Sequence, residues 1–167
     1  DQKDYAVCFG VEPEIWQKAE DNQYVPETSL TETEIRMPGG HLTIAQLIAL
    51  LNTIPMEITF VDVDNINRFF NEGPKDFKRP GMAIDREVFS CHPPKIEATV
   101  RRIIGEFRAG ALDEVPIWMD KNGKCMLVRY MAVRDKEGKY LGTLELVQDM
   151  GFAKEHFQPE KRQEEIW

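Results

Sequence analysis

Cysteine is scarce in this chain: Cys8, Cys91 and Cys125 are the only three in 167 residues, and no two of them share a C-x-x-C spacing. A scattered, odd-numbered set excludes a disulfide framework and offers no zinc pattern, so reduced thiols are expected. Histidine is equally sparse, at 3 residues. No apolar run approaches the roughly 20 residues that span a bilayer, and no basic segment followed by an apolar one opens the chain. Positive charge is in deficit, with 21 Lys and Arg against 29 Asp and Glu and a formal net charge of -8. That balance repels phosphate backbones and anionic head groups, so neither nucleic acid nor a membrane is an expected partner, and a cytoplasmic location is expected. Also missing are a P-loop, a dinucleotide fingerprint, an H-E-x-x-H string and a nucleophile elbow, and no nucleophile with its base can be placed. No enzymatic activity is expected. The chain begins with Asp1 on a charged stretch that reads as a continuation, which suggests a piece of a longer protein.

What is present suffices for one core. With 42% hydrophobic and 30% charged residues, a chain of this length buries about two-thirds of its unfolded surface. Residues 1–40 are polar, with Trp16, Tyr24 and Val25 as isolated apolar points and Pro13, Pro26 and Pro38 as breaks, and read as a strap or linker. A helix then starts at Thr43, where Thr43-x-x-Gln46 fits a capping box and Leu42 and Leu47 fit a hydrophobic staple; Pro55 ends it. Two β-rich runs, Glu57 to Val63 and Ile66 to Phe70, flank a turn at Asp64-Asn65. Residues 71–94 read as loops and short helical turns. Ile96, Val100, Ile103, Ile104 and Phe107 trace one face of a helix over Lys95 to Ala109, closed by Gly110. Three strands follow, Val115 to Met119, Lys124 to Arg134 and Tyr140 to Gln148, joined at Asn122-Gly123 and at Asp135 to Gly138. The tail 151–167 is charged and reads as helical.

A loop of Lys136, Glu137 and Gly138 with Gly138 left-handed sets Arg129 opposite Glu145 and Val128 opposite Leu146. On that register Met126, Val128, Tyr130, Ala132, Leu144, Leu146, Ile117 and Met119 face the long helix. The opposite face carries Arg129, Glu145, Trp118, Leu127, Met131, Val133 and Val147, too apolar to stay bare on a monomer. The Thr43 helix, the strap around Trp16 or a second copy could cover it.

The element order, two strands, short helices, a long helix and a three-stranded meander, resembles that of PAS domains. Asp135-Lys136-Glu137-Gly138-Lys139-Tyr140-Leu141-Gly142-Thr143 is similar to the turn before the last PAS strand, and Val147-Gln148-Asp149-Met150 to the D-[IM]-T ending, with Gly151 in place of Thr. Pro38 to Thr43, Ile58 to Asp62 and Ser90-Cys91-His92-Pro93-Pro94-Lys95 resemble the PAS domain at the C-terminus of bacterial hemerythrin-associated proteins. Three histidines cannot build a hemerythrin di-iron site. The resemblance implies an α+β fold, a PAS-like five-stranded antiparallel sheet with helices packed on one face and an N-terminal helical strap. It divides the chain into a strap (1–40), a sensor domain (41–150) and a tail (151–167). The function implied is a sensory module that binds a small ligand between the long helix and the sheet, with a neighbouring domain or a second protomer as partner. The alternative is a ligand-free docking or dimerisation platform.

His92, just before the long helix, is the candidate axial ligand for haem. The plainer reading has its ring hydrogen-bonded to backbone near the helix start. Cys91 is a candidate thiolate ligand or redox thiol, or a small core thiol. Ile103, Phe107, Tyr130 and Leu144 are the other expected ligand contacts, and Trp118, Leu127, Met131 and Val133 the expected interface. Met119 and Met126 suit an adaptable pocket or a plain core alike. Asp62, Asp64, Glu72 and Asp76 gather near the first strands without calcium-loop spacing.

Overall fold

The structure, a computed structural model, describes residues 32–73, 76–77 and 83–158. The strap around Trp16, the side chain of Cys91 and the end of the tail lie outside the described residues.

An antiparallel hairpin of β1 (Glu34–Met37) and β2 (Gly40–Thr43) comes first. From sequence these residues belong to the strap or its end, because strands of 4 residues carry too little periodicity to detect. Helix α1 (Ile44–Thr53) starts on the expected capping box: Thr43 Oγ1 accepts from the Gln46 backbone N–H at 3.1 Å and Gln46 Oε1 accepts from the Thr43 N–H at 3.0 Å. The helix contains no charged residue, and none of its side chains is fully buried.

A 5-stranded antiparallel sheet follows in the order β4-β3-β7-β6-β5. Its members are β3 (Glu57–Asp62), β4 (Asn67–Phe70), β5 (Glu114–Lys121), β6 (Lys124–Arg134) and β7 (Tyr140–Asp149). The β3–β4 turn forms because Asp62 Oδ1 accepts from the N–H groups of Asp64 and Ile66, while Asn65 takes a left-handed φ of 65°. Asn122 and Gly123, at φ 54° and 79°, make the β5–β6 turn of the kind an Asn-Gly pair favours.

A 3-10 turn (Val88–Cys91) leads into α2 (Pro94–Ala109), which has Pro94 at its first turn and Gly110 left-handed at φ 75° as its cap. Its buried face is Val100, Ile103, Ile104 and Phe107, and Phe107 is 0% exposed. Burying four such side chains contributes about 6–12 kcal/mol before entropy is counted. Ile103 and Phe107 pack on Tyr130, Ala132 and Val115, so this side of the sheet is the inner face. Arg134 holds the end of α2 by donating to the Phe107 carbonyl at 2.7 Å, and Arg108 donates to Val63 O and Asn65 Oδ1 at 2.9 Å each. Asn65 O in turn accepts from the Val88 N–H at 2.8 Å. No described helix is long and apolar enough to cross a membrane.

The register of β6 on β7 differs from the sequence expectation. Gly138 is left-handed at φ 84° as anticipated and Arg134 lies opposite Tyr140, but a bulge at Val133/Arg134 then shifts every later pair by one residue. Val128 therefore faces Val147, Arg129 faces Leu146, Tyr130 faces Glu145, and Met131 faces Leu144. Glu145 and Val147 turn to the inner face, and Leu144 and Leu146 turn outward. The cause lies on the far side of β7. Gly142 sits against β3, where a Cβ would run into the Val61 carbonyl oxygen and stand 2.8 Å from the Phe60 ring, so the bulge lets a residue without a side chain meet β3. Arg129 finds Glu114 instead of Glu145, at 2.6 Å.

Candidate functional site

A concavity lies at one end of the inner face, where β3 begins and β7 ends. It is built around Asn71, which is 4% exposed. Asn71 Oδ1 accepts from the Ile58 N–H at 2.8 Å, and its Nδ2 donates to the carbonyls of Leu51 (3.0 Å) and Met56 (2.9 Å). One buried amide thus joins the end of α1, the connector after it and the start of β3, and its polar atoms are used where water cannot reach. Asn52 Oδ1 accepts from the Glu72 N–H at 2.9 Å and brings in the chain after β4.

The opposite wall is the dipeptide Asp76-Phe77. Glu57, the first residue of β3 and only 6% exposed, accepts through Oε1 from the backbone N–H groups of both residues. Lys121 donates to the Asp76 carbonyl at 2.8 Å and lies 3.4 Å over the Phe77 ring. Lys124 Nζ is 2.6 Å from Asp76 Oδ1 and 3.8 Å from Asp149 Oδ2. The hydrogen bond to Asp76, and the charges of Asp76 and Asp149, raise the Lys124 ammonium above its ordinary pKa.

These elements enclose about 380 Å³, lined by residues 52–56, Glu57, residues 71–73, Asp76, Val147 and Asp149. The volume equals roughly a dozen waters and lies in the range of about 300–1,000 Å³ usual for small-molecule sites. Val147 and the connector from Ile54 to Met56 supply an apolar floor. Among the described residues, no group of three or more His, Cys, Asp or Glu converges closely enough to hold a metal ion.

None of the residues put forward from sequence as ligand contacts, haem ligand or interface lines this cavity. Ile103, Phe107 and Tyr130 are together, packed in one cluster with Tyr140. Leu144 is on the other face, between Met131 and Phe60, because of the bulge described above. His92 closes the 3-10 turn beside Val88 and Phe89, which pack on Val61 at the far end of β3. Four residues of strand separate Val61 from Glu57, about 13 Å. His92 Nδ1 lies 2.8 Å from the Val88 carbonyl, which can only accept, so Nδ1 carries the proton and the ring is oriented by backbone. Trp118, Leu127, Met131 and Val133 share the outer face, and Trp118 is 65% exposed.

Two cavity carboxylates, Glu72 and Asp76, belong to the acidic group seen near the first strands. The other two members lie elsewhere. Asp62 pairs with Arg68 at 2.5 Å, and Asp64 sits in the turn. Burial pushes the Asp62 carboxyl up, but Arg68 and the N–H groups of Ile66 and Asp64 outweigh it, so its pKa is below the ordinary value. Glu57 carries no local motif, Asp149 belongs to the string similar to the D-[IM]-T ending, and pairing of distant strands is what brings them to the site.

A C-terminal domain from Streptococcus mutans, solved by crystallography, is 36% identical, superposes with a TM-score of 0.72, and matches over 75% of this chain and 98% of its own. The PAS domain of a protein from Colwellia psychrerythraea is 15% identical over 64% of this chain and 95% of its own, with a TM-score of 0.46. A sensory box sensor histidine kinase from Vibrio cholerae is 12% identical over 62% of this chain and 88% of its own, at a TM-score of 0.44. No curated protein matches. The family described as PAS domain matches residues 47–151, from within α1 to just past the end of β7. With that match and a 36% identical relative whose chain it covers almost completely, this chain belongs to the PAS domain family.

Proposed function

We propose that the chain is a cytoplasmic sensory module whose PAS domain binds a small molecule, without catalysing a reaction, in the cavity between Asn71, Asp76 and Val147. The observation that carries this reading is the cavity itself: about 380 Å³ between a buried Asn whose amide and a buried Glu whose Oε1 are bonded to its walls. Occupancy would bias the packing of β3 and β7, whose outer faces reach any neighbouring domain. The Ser90-Cys91-His92-Pro93-Pro94 string, together with a relative that is the C-terminal domain of its own protein, supports a place at the C-terminal end of a larger hemerythrin-associated protein. The test is a fragment screen on isotope-labelled protein. Shifts confined to the amides of Glu57, Gly73 and Val147 support the reading, and shifts confined to the outer face overturn it.

A second reading rests on Trp118, which is 65% exposed on a face shared with Leu127, Met131 and Val133. That face suits a docking or dimerisation platform. Leu127→Glu should turn a dimer into a monomer in sedimentation without moving the cavity amides, and an unchanged dimer removes the reading. Haem is a narrower extension: with Nδ1 protonated, His92 keeps the Nε2 lone pair for iron. A Soret band on haem addition that His92→Ala abolishes would support it, and a featureless spectrum would end it.

A further inference from the structure

Among the described residues that line the cavity, the charged ones are Glu57, Glu72, Asp76 and Asp149, with the Lys121 and Lys124 ammonium groups just outside on Asp76. The two cavity amides offer a cation no competition, since Asn71 is spent on three backbone groups and Asn52 Oδ1 on Glu72 N–H. A bare metal ion fits poorly, because these carboxylates are spread around a space large enough for a molecule and do not converge on a point. At the rim the protein supplies its own ammonium: Lys124 bridges Asp76 and Asp149 from a side chain that is 51% exposed. An exposed pair of that kind is weakly held.

We propose that the cavity selects a small organic cation, an amine or short diamine, which takes the place of the Lys124 ammonium between Asp76 and Asp149 while its apolar part rests on Val147 and the 54–56 connector. This rests on the ligand-site reading above and adds the class of ligand. The four carboxylates set the preference for positive charge, and the net charge of -8 raises the local concentration of cations around the whole chain. Displacement of Lys124 makes a prediction of sign: deleting that ammonium tightens binding of a cation and weakens binding of an anion.

The test is a nuclear magnetic resonance titration of the full chain, read at the amides of Glu57, Gly73 and Val147, with three four-carbon probes: 1,4-diaminobutane, 1,4-butanediol and succinate. Salt is held near 0.15 M, where diffuse attraction is screened beyond about 8 Å. The diamine should saturate, with the diol and succinate at least about tenfold weaker. Lys124→Met should tighten the diamine severalfold, and Asp149→Asn and Glu72→Gln should each weaken it severalfold. Glu72 is exposed, so its variant keeps the test decisive if Asp149→Asn unfolds. Glu137→Gln, in the β6–β7 turn away from the cavity, should change nothing. Succinate or diol binding best at these amides would overturn the cation class and leave the ligand site standing. Diamine shifts that Lys124→Met weakens, or that Glu137→Gln weakens as much as Glu72→Gln, would overturn the proposal. A failure of every probe to move these amides would overturn it together with the location of the site.

Discussion

Replacing Asn71 with Ala should cost this domain about 3 kcal/mol. The side chain makes three hydrogen bonds, to Ile58 N–H, Leu51 O and Met56 O, at 2.8, 3.0 and 2.9 Å, from a position 4% exposed. Each is worth about 1 kcal/mol net, and the truncation leaves buried backbone groups without the amide that satisfied them. Against a typical domain stability of about 5–15 kcal/mol the loss is large, and it corresponds to a fall in Tm of about 10 °C for a domain of this size. Urea unfolding followed by circular dichroism gives the number, provided the slope against urea is unchanged so that the midpoint reports the native state alone. Asn71→Asp separates the two halves of the amide: it keeps an acceptor for Ile58 N–H and loses both donors, so it should be no milder than Ala near neutral pH. A cost below about 1 kcal/mol for Asn71→Ala, or wild-type behaviour of Asn71→Asp, would refute the assignment of Asn71 as the joint between α1 and the sheet.

Gly142→Ala should destabilise by about 3 kcal/mol, because the added Cβ meets Val61 O and the Phe60 ring; the same unfolding assay checks it. The lowered pKa of Asp62 gives stability that is present above the unfolded carboxyl value of about 3.8 and lost as the pH falls through the folded value. Asp62→Asn should therefore flatten the acid side of the stability curve measured between pH 5 and pH 2. Trp118→Ala, at a site 65% exposed, should change the unfolding free energy by no more than about 0.5 kcal/mol, with any effect confined to sedimentation.

Elements whose signals are local were legible in the sequence. Thr43 with Gln46, Asn122-Gly123, Gly110 and the spacing of Val100, Ile103, Ile104 and Phe107 each act within a turn or two of chain, and each is where the sequence places it. The β6–β7 register was legible only as far as the turn. Gly138 sets Arg134 opposite Tyr140, but the bulge answers to β3, some eighty residues earlier in the chain, and no local pattern carries that information. This one slip exchanged Leu146 for Val147 in the core and sent Glu145 inward. The cavity was illegible for the same reason: its walls come from residues 52–57 and 71–73 and from Asp76, Val147 and Asp149, which meet only after β3 pairs with β7. Asn71 gave no warning either, since a buried Asn is recognised by its partners and not by its neighbours in sequence.

Asn65 has a significance larger than its place in a tight turn. Its left-handed backbone shapes the β3–β4 reversal, its carbonyl receives the 3-10 turn through Val88, and its side-chain oxygen receives α2 through Arg108. The turn and two elements more than twenty residues further along the chain thus meet at one residue. Asn65 thereby adds a polar tie at the β3–β4 end to the apolar packing that holds α2 on the sheet.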